Sequence, residues 1–161
     1  MIKTIHFENK HRSHELVNAF RETGFAIIEK PPIDFNKLQT CYDGWESFFK
    51  NPDANYSYDS TTGAGWIDQG LSETAKGATN KDLKEFYHFY KHMQCPAELQ
   101  EITNESFDML YNLACQVLEC IEEAMPVALK AKFDRPLHDM VSVKNTLFRI
   151  IHYPPLNKCI E

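Results

Sequence analysis

Seven histidines and 23 acidic side chains in 161 residues invite a search for a metal or acid–base site. His88 and His92 stand four apart, which on a helix would put both on one face within reach of one ion. Their segment, Glu85-Phe86-Tyr87-His88-Phe89-Tyr90, is rich in aromatics and reads as extended, which sets the two rings too far apart to share a metal. His14-Glu15 opens an H-E-x-x-H pattern, but Asn18 occupies the closing position. His6-Phe7-Glu8 is an H-x-E triplet on a short strand-like stretch, with no second histidine placed to join it. Gly63-Ala64-Gly65 lacks the further glycine and the lysine of a phosphate loop, and no G-x-S-x-G nucleophile turn occurs. The five cysteines, Cys41, Cys95, Cys115, Cys120 and Cys159, form no C-x-x-C pair and read as reduced thiols. Spacing alone therefore assigns no metal ligand and no catalytic residue.

The elements that would carry a site are clearer. Residues 2–7 alternate apolar and polar, as a short edge strand does. Ser13 suits the N-cap of a helix running through Leu16 and Phe20, and Gly24 suits its left-handed stop. Phe25-Ala26-Ile27-Ile28 reads as a buried strand ended by Pro31-Pro32, so the chain opens strand, helix, strand. Residues 33–49 place Phe35, Leu38, Tyr42, Trp45 and Phe49 on one helical face. Residues 55–80 hold most of the glycines and show no period, which predicts a long irregular loop around Gly63-Ala64-Gly65-Trp66. A strand is expected from Glu85. Residues 97–125 form the strongest pattern, a long helix between Pro96 and Pro126 with an apolar stripe and a glutamate-rich outer face. A short helix over 126–133 and a loop over 134–143 follow. Leu147-Phe148-Arg149-Ile150-Ile151-His152-Tyr153-Pro154-Pro155 reads as a strand halted by a double proline, and a strand needs a neighbour to close its backbone hydrogen bonds.

Several classes are disfavoured. A net charge of −6 argues against a nucleic-acid partner, which needs clustered Lys and Arg. No apolar run approaches a membrane span, and the first ten residues lack a signal-peptide core, so the expected compartment is cytoplasmic.

Taken in order, these segments resemble the isopenicillin N synthase-like Fe(II)/2-oxoglutarate-dependent dioxygenases. Residues 19–28 are similar to that family's early helix, x-x-G-F and apolar strand. Trp45-Glu46-Ser47-Phe48-Phe49 with Pro52 is similar to its F-F-x-x-P helix end. Gly63-Ala64-Gly65-Trp66, then Glu73, Gly77 and Asp82-Leu83-Lys84-Glu85-Phe86, resembles its glycine-rich segment leading to D-x-K-E-x-F. The 97–125 helix resembles the long helix that backs the family's sheet, and residues 147–155 resemble its L-R-L-x-x-Y-P-P strand.

The resemblance implies an α+β fold. It is the amino-terminal helical and strand portion of a double-stranded β-helix (jelly-roll) oxygenase, a single domain over 1–161, with the barrel beginning near 143 and most of it missing. It implies that Tyr153 and Arg149 face the co-substrate and that Trp66 and Tyr153 face the substrate. Many relatives carry Asn where this chain has Ile151. The family's H-x-D pair, distal histidine and later arginine are expected beyond Glu161, so no metal ligand or catalytic residue is assigned within the chain. The expectation is an oxidoreductase acting on a small molecule with Fe(II) and 2-oxoglutarate in the full-length enzyme. This chain alone would be inactive and bind neither. The competing expectation is a non-catalytic interaction module, in which the unpaired strand would pair with a partner or drive self-association.

Overall fold

A computed structural model describes residues 1–71, 74, 79 and 81–155. They divide into two compact units, Met1–Phe35 with Glu105–Val143, and Asn36–Asn104 with the residues from Lys144 on. Cys159, and Glu73 and Gly77 of the glycine-rich segment, lie outside the described residues.

The first unit opens with strand β1 (Lys3–His6), helix α1 (Arg12–Thr23) and strand β2 (Ala26–Glu29). β1 and β2 pair in parallel, with Ile5 opposite Ile28. Ile5, Leu16, Ala19 and Cys120 form the core, and Phe20, Ala26 and Ile28 pack against it. Gly24 ends α1 at φ +76° and donates its N–H to the Phe20 carbonyl at 2.9 Å, as read from the sequence. A side chain there would cost about 1 kcal/mol in backbone strain.

Two details differ from the sequence reading. Ser13 is not the N-cap. It lies inside α1, buried, and its Oγ donates to Glu123 Oε2 at 2.7 Å. Asn9 organises the helix start instead: its carbonyl accepts from Arg12 N–H, and its side-chain amide donates to both Glu15 carboxylate oxygens at 3.0 and 3.1 Å. The second strand is covered on one face only, since Phe25 and Ile27 are 65% and 52% exposed while Ala26 and Ile28 pack inward. A two-stranded ribbon with one helix against it leaves its other face open.

The long helix α3 (Ala97–Glu123) matches the sequence pattern closely, and the short α4 (Val127–Lys130) follows. The glutamate face of α3 is less solvated than its composition suggests. Glu122 accepts the Leu137 N–H at 2.8 Å and pairs with Lys130 at 3.1 Å. The Leu137 N–H, then the Lys130 bond, hold its carboxyl below the usual glutamate range.

The second unit contains helix α2 (Phe35–Lys50) from Asn36 on, the opening turns of α3, and strands β3 (Gly65–Ile67), β4 (Glu85–Phe89) and β5 (Phe148–His152). The strands form one antiparallel sheet in the order β3-β4-β5. The buried face of α2 is Cys41, Trp45, Phe48 and Phe49, whereas Phe35 and Tyr42 are each 60% exposed. Trp45 meets Tyr87 at 4.6 Å between ring centroids and donates its indole N–H to Thr103 Oγ1 at 2.9 Å. A Cβ on Gly44 would sit 2.7 Å from Leu99 Cδ2, so a larger residue there would have to displace the Leu99 side chain.

β3 is the element that the sequence hid. Residues 55–80 read as loop, yet Gly65, Trp66 and Ile67 pair with His88, Tyr87 and Phe86. Gly65 has φ +110°, and a Cβ there would lie 2.6 Å from the Ser57 carbonyl oxygen. Glycine lowers strand propensity while enabling this close backbone approach. β5 finds its neighbour in β4, with Ile150 opposite Tyr87, and it stands at the edge of the sheet among the described residues.

Candidate active-site sheet

The register of β3, β4 and β5 sorts the chemistry into two faces, because directly opposed residues project the same way. Trp66 is opposite Tyr87, Tyr87 opposite Ile150, and Glu85 opposite His152. These share one face. Phe86 opposite Ile151, and His88 opposite Arg149, define the other.

On the first face Glu85 is 7% exposed and fully engaged. One carboxylate oxygen accepts the Trp66 indole N–H at 2.9 Å, and the other pairs with His152 Nδ1 at 2.8 Å. Phe49 stacks on the His152 ring at 5.2 Å and 14°. A buried carboxylate is tolerated only with such partners. The arrangement clamps three strands together and fixes the imidazole's orientation. A groove of about 300 Å³ runs beside it, bordered by Tyr42, Glu46, Phe49 and His152. Deeper on the same face the Tyr87 hydroxyl donates to the Gln94 carbonyl at 3.0 Å, and burial pushes its phenol well above the usual tyrosine range.

The second face carries a cation. Arg149 lays its guanidinium over Phe86, 4.8 Å from the ring centroid, and its Nε donates to His88 Nε2 at 3.0 Å. Arginine can only donate, so His88 Nε2 accepts and the ring hydrogen sits on Nδ1, facing the Gly63 carbonyl at 3.2 Å. The imidazole is thus a neutral relay between a turn and Arg149. That turn is built by Asp59, which accepts the Gly63 N–H on its carbonyl at 2.7 Å and the Thr61 N–H on its side chain at 2.8 Å. The Thr61 backbone bond, foremost, lowers the Asp59 pKa.

The structure places the sequence-assigned residues as follows. Arg149 stands on the second face, 3.0 Å from His88. Tyr153 follows the last residue of β5 and is 68% exposed. Trp66 is on the first face, opposite to Arg149, with its indole N–H committed to Glu85. His88, weighed as a metal ligand, uses both ring nitrogens within the protein, and His92 packs near Tyr90, with ring centroids 6.2 Å apart. Sequence spacing does not connect Glu85 with His152, because their juxtaposition depends on a register that joins segments 67 residues apart. Among the described residues no group of three or more His, Cys, Asp or Glu side chains is placed to hold a metal ion. Iron therefore has no fitting ligand set there, whereas the guanidinium edge of Arg149 suits a carboxylate.

No protein-family model matches the chain, and no curated protein does. Solved structures do. A Shewanella oneidensis protein classed as an oxygenase matches with TM-score 0.85 and 36% identity, over 98% of this chain and 57% of its own. A Caulobacter crescentus protein classed in the 2OG-Fe(II) oxygenase family matches with TM-score 0.74 and 26% identity, over 98% and 57%. A full-length Neurospora crassa protein, solved in complex with alpha-KG, matches with TM-score 0.73 and 21% identity, over 95% and 54%, and shows the fold alone. The chain thus spans just over half the length of these proteins. It resembles Fe(II)/2-oxoglutarate oxygenases, as its sequence motifs indicated, through a mixed helix and strand fold.

Proposed function

We propose that this chain is the amino-terminal part of an Fe(II)/2-oxoglutarate-dependent dioxygenase that oxidises a small molecule, with β5 as an early stave of the jelly-roll. The observation that carries this reading is the 36% identity and TM-score of 0.85 to the Shewanella protein along 98% of the chain. In such an enzyme iron and 2-oxoglutarate together activate oxygen. The described residues offer iron no ligand set; on this reading its ligands lie in the part of the enzyme that this chain does not span. What this chain supplies is binding and orientation. Arg149 presents a cation and Tyr153 a hydroxyl toward the co-substrate. Tyr153 also borders the substrate, whereas Trp66, bound to Glu85 on the other face, supports the sheet and is not assigned to the substrate. No helix among the described residues is long and apolar enough to cross a membrane. We assign the protein to the cytosol, where Cys41, Cys95, Cys115 and Cys120 stay as free thiols.

The test is turnover. A protein translated through the whole reading frame, given Fe(II) and 2-oxoglutarate, is expected to release succinate and to stop when the metal is chelated. The 161-residue chain alone is expected to release none. Succinate from the short chain, or none from the extended protein with a range of small substrates, contradicts the proposal. Self-association through the outer edge of β5 is the second reading, favoured by the place of β5 at the edge of the sheet among the described residues. A monomer in sedimentation at high concentration removes it.

A further inference from the structure

The cation on the second sheet face is held without being neutralised. The chain is acidic overall, with net charge −6, yet among the described residues no carboxylate pairs with Arg149. Its Nε is taken by a neutral imidazole and its plane by a phenyl ring. A carboxylate in the place of His88 would fix the guanidinium equally well but cancel its charge. A neutral acceptor fixes it and leaves both Nη groups, and the full positive charge, for something outside the protein. The support extends inward: Phe86 is 2% exposed, the Gly63 carbonyl holds His88, and Tyr58 meets the His88 ring edge-on at 6.1 Å.

We propose that Arg149 is an anchor for a ligand carboxylate and that His88 is its positioning residue. This rests on reading the second face as the ligand-facing side of the sheet. The carboxylate has two sources, the co-substrate or the oxidised small molecule, which would then itself be an acid. Acid pH should disable the anchor. Protonating His88 puts a hydrogen on Nε2, which can no longer accept from Arg149 and adds a like charge beside it. The groups facing His88 include Arg149 from β5, Tyr58 and the turn over residues 59–63, and, along its own strand, the Phe86 ring at 5.0 Å and Lys84, whose ammonium reaches over Phe86 at 6.0 Å.

The test reads weak, iron-free binding to the 161-residue chain at high ligand concentration, where the Arg149 contact alone is followed and no tight complex is expected, so its outcome is independent of turnover. The side-chain Nε–H of Arg149 and the β5 amides are followed by NMR while 2-oxoglutarate, glutarate or dimethyl glutarate is added. Both acids should shift these signals saturably and the neutral ester should not. Affinity should fall about tenfold in His88→Leu and survive in His88→Gln, whose amide oxygen can still accept from Arg149. As pH is lowered the native chain should lose affinity for 2-oxoglutarate, roughly tenfold, before the ligand's own carboxylates begin to protonate, while His88→Gln stays nearly flat over the same range. In the extended protein with iron, a raised KM for 2-oxoglutarate in Arg149→Gln identifies the co-substrate as the source, and a raised KM for the small substrate alone identifies a substrate acid. The proposal is overturned if neither acid shifts Arg149, if the ester shifts it equally, or if a folded His88→Leu chain binds as the native one does. Should His88→Leu fail to fold, a pH profile in His88→Gln identical to the native one overturns it.

Discussion

The two faces of the β3-β4-β5 sheet treat charge in opposite ways. On one, the Glu85 carboxylate is buried and every strong bond it can make is spent inside the protein, on Trp66 and His152. On the other, the Arg149 guanidinium is exposed and its hydrogen bond goes to a neutral ring. A charge whose partners are all internal stabilises; a charge held in place but left unneutralised is, on the reading proposed above, set to bind. On that proposal the same three strands separate support from recognition.

The largest effect that would sharpen this contrast comes from Glu85→Leu. It strands the Trp66 N–H and the His152 ring in a buried site, and we expect a loss of about 3 kcal/mol in urea unfolding. Glu85→Gln should cost less, about 1–2 kcal/mol, because an amide oxygen can still accept one of the two bonds. Arg149→Gln should change stability by no more than about 0.5 kcal/mol, since its side chain is exposed. If Arg149→Gln proves as damaging as Glu85→Leu, the division between the faces is lost.

Alkaline pH tests the buried face beneath Glu85. Burial, above all, pushes the Cys95 thiol up to about 12 and the Tyr87 phenol above its usual range. Both groups hold their protons more tightly folded than unfolded. Their contribution is therefore complete below the pH where a free thiol ionises, near 9, and is lost as pH rises toward 12. The urea midpoint should fall over that window, and it should fall less in Tyr87→Phe. The smallest effect is chemical: Cys95, 4% exposed, should react with iodoacetamide at about pH 8 far more slowly than the half-buried Cys115, as read by peptide mass.

Much of this architecture was legible in the residues. Gly24 after an amphipathic run, Pro96 and Pro126 around the long stripe, and the β-branched run before Pro154-Pro155 each act locally, so sequence alone carried them. What sequence could not carry was tertiary. Ser13 has the chemistry of an N-cap but is drawn to Glu123, which stands 110 residues away. Trp66 sits among glycines that mask a strand, and only pairing with β4 reveals which face it takes. The alternation of Arg149 and Ile151 was readable, yet His88 became their neighbour only through a register no local rule contains.

The central claim is that β5 is an internal stave of a larger sheet. Hydrogen–deuterium exchange tests it directly, comparing the β5 amides that point away from β4 in the 161-residue chain and in the protein translated through the whole reading frame. The account predicts rapid exchange in the short chain and at least about hundredfold slower exchange in the longer one, as each edge amide gains a strand partner. Equal exchange in both would contradict it.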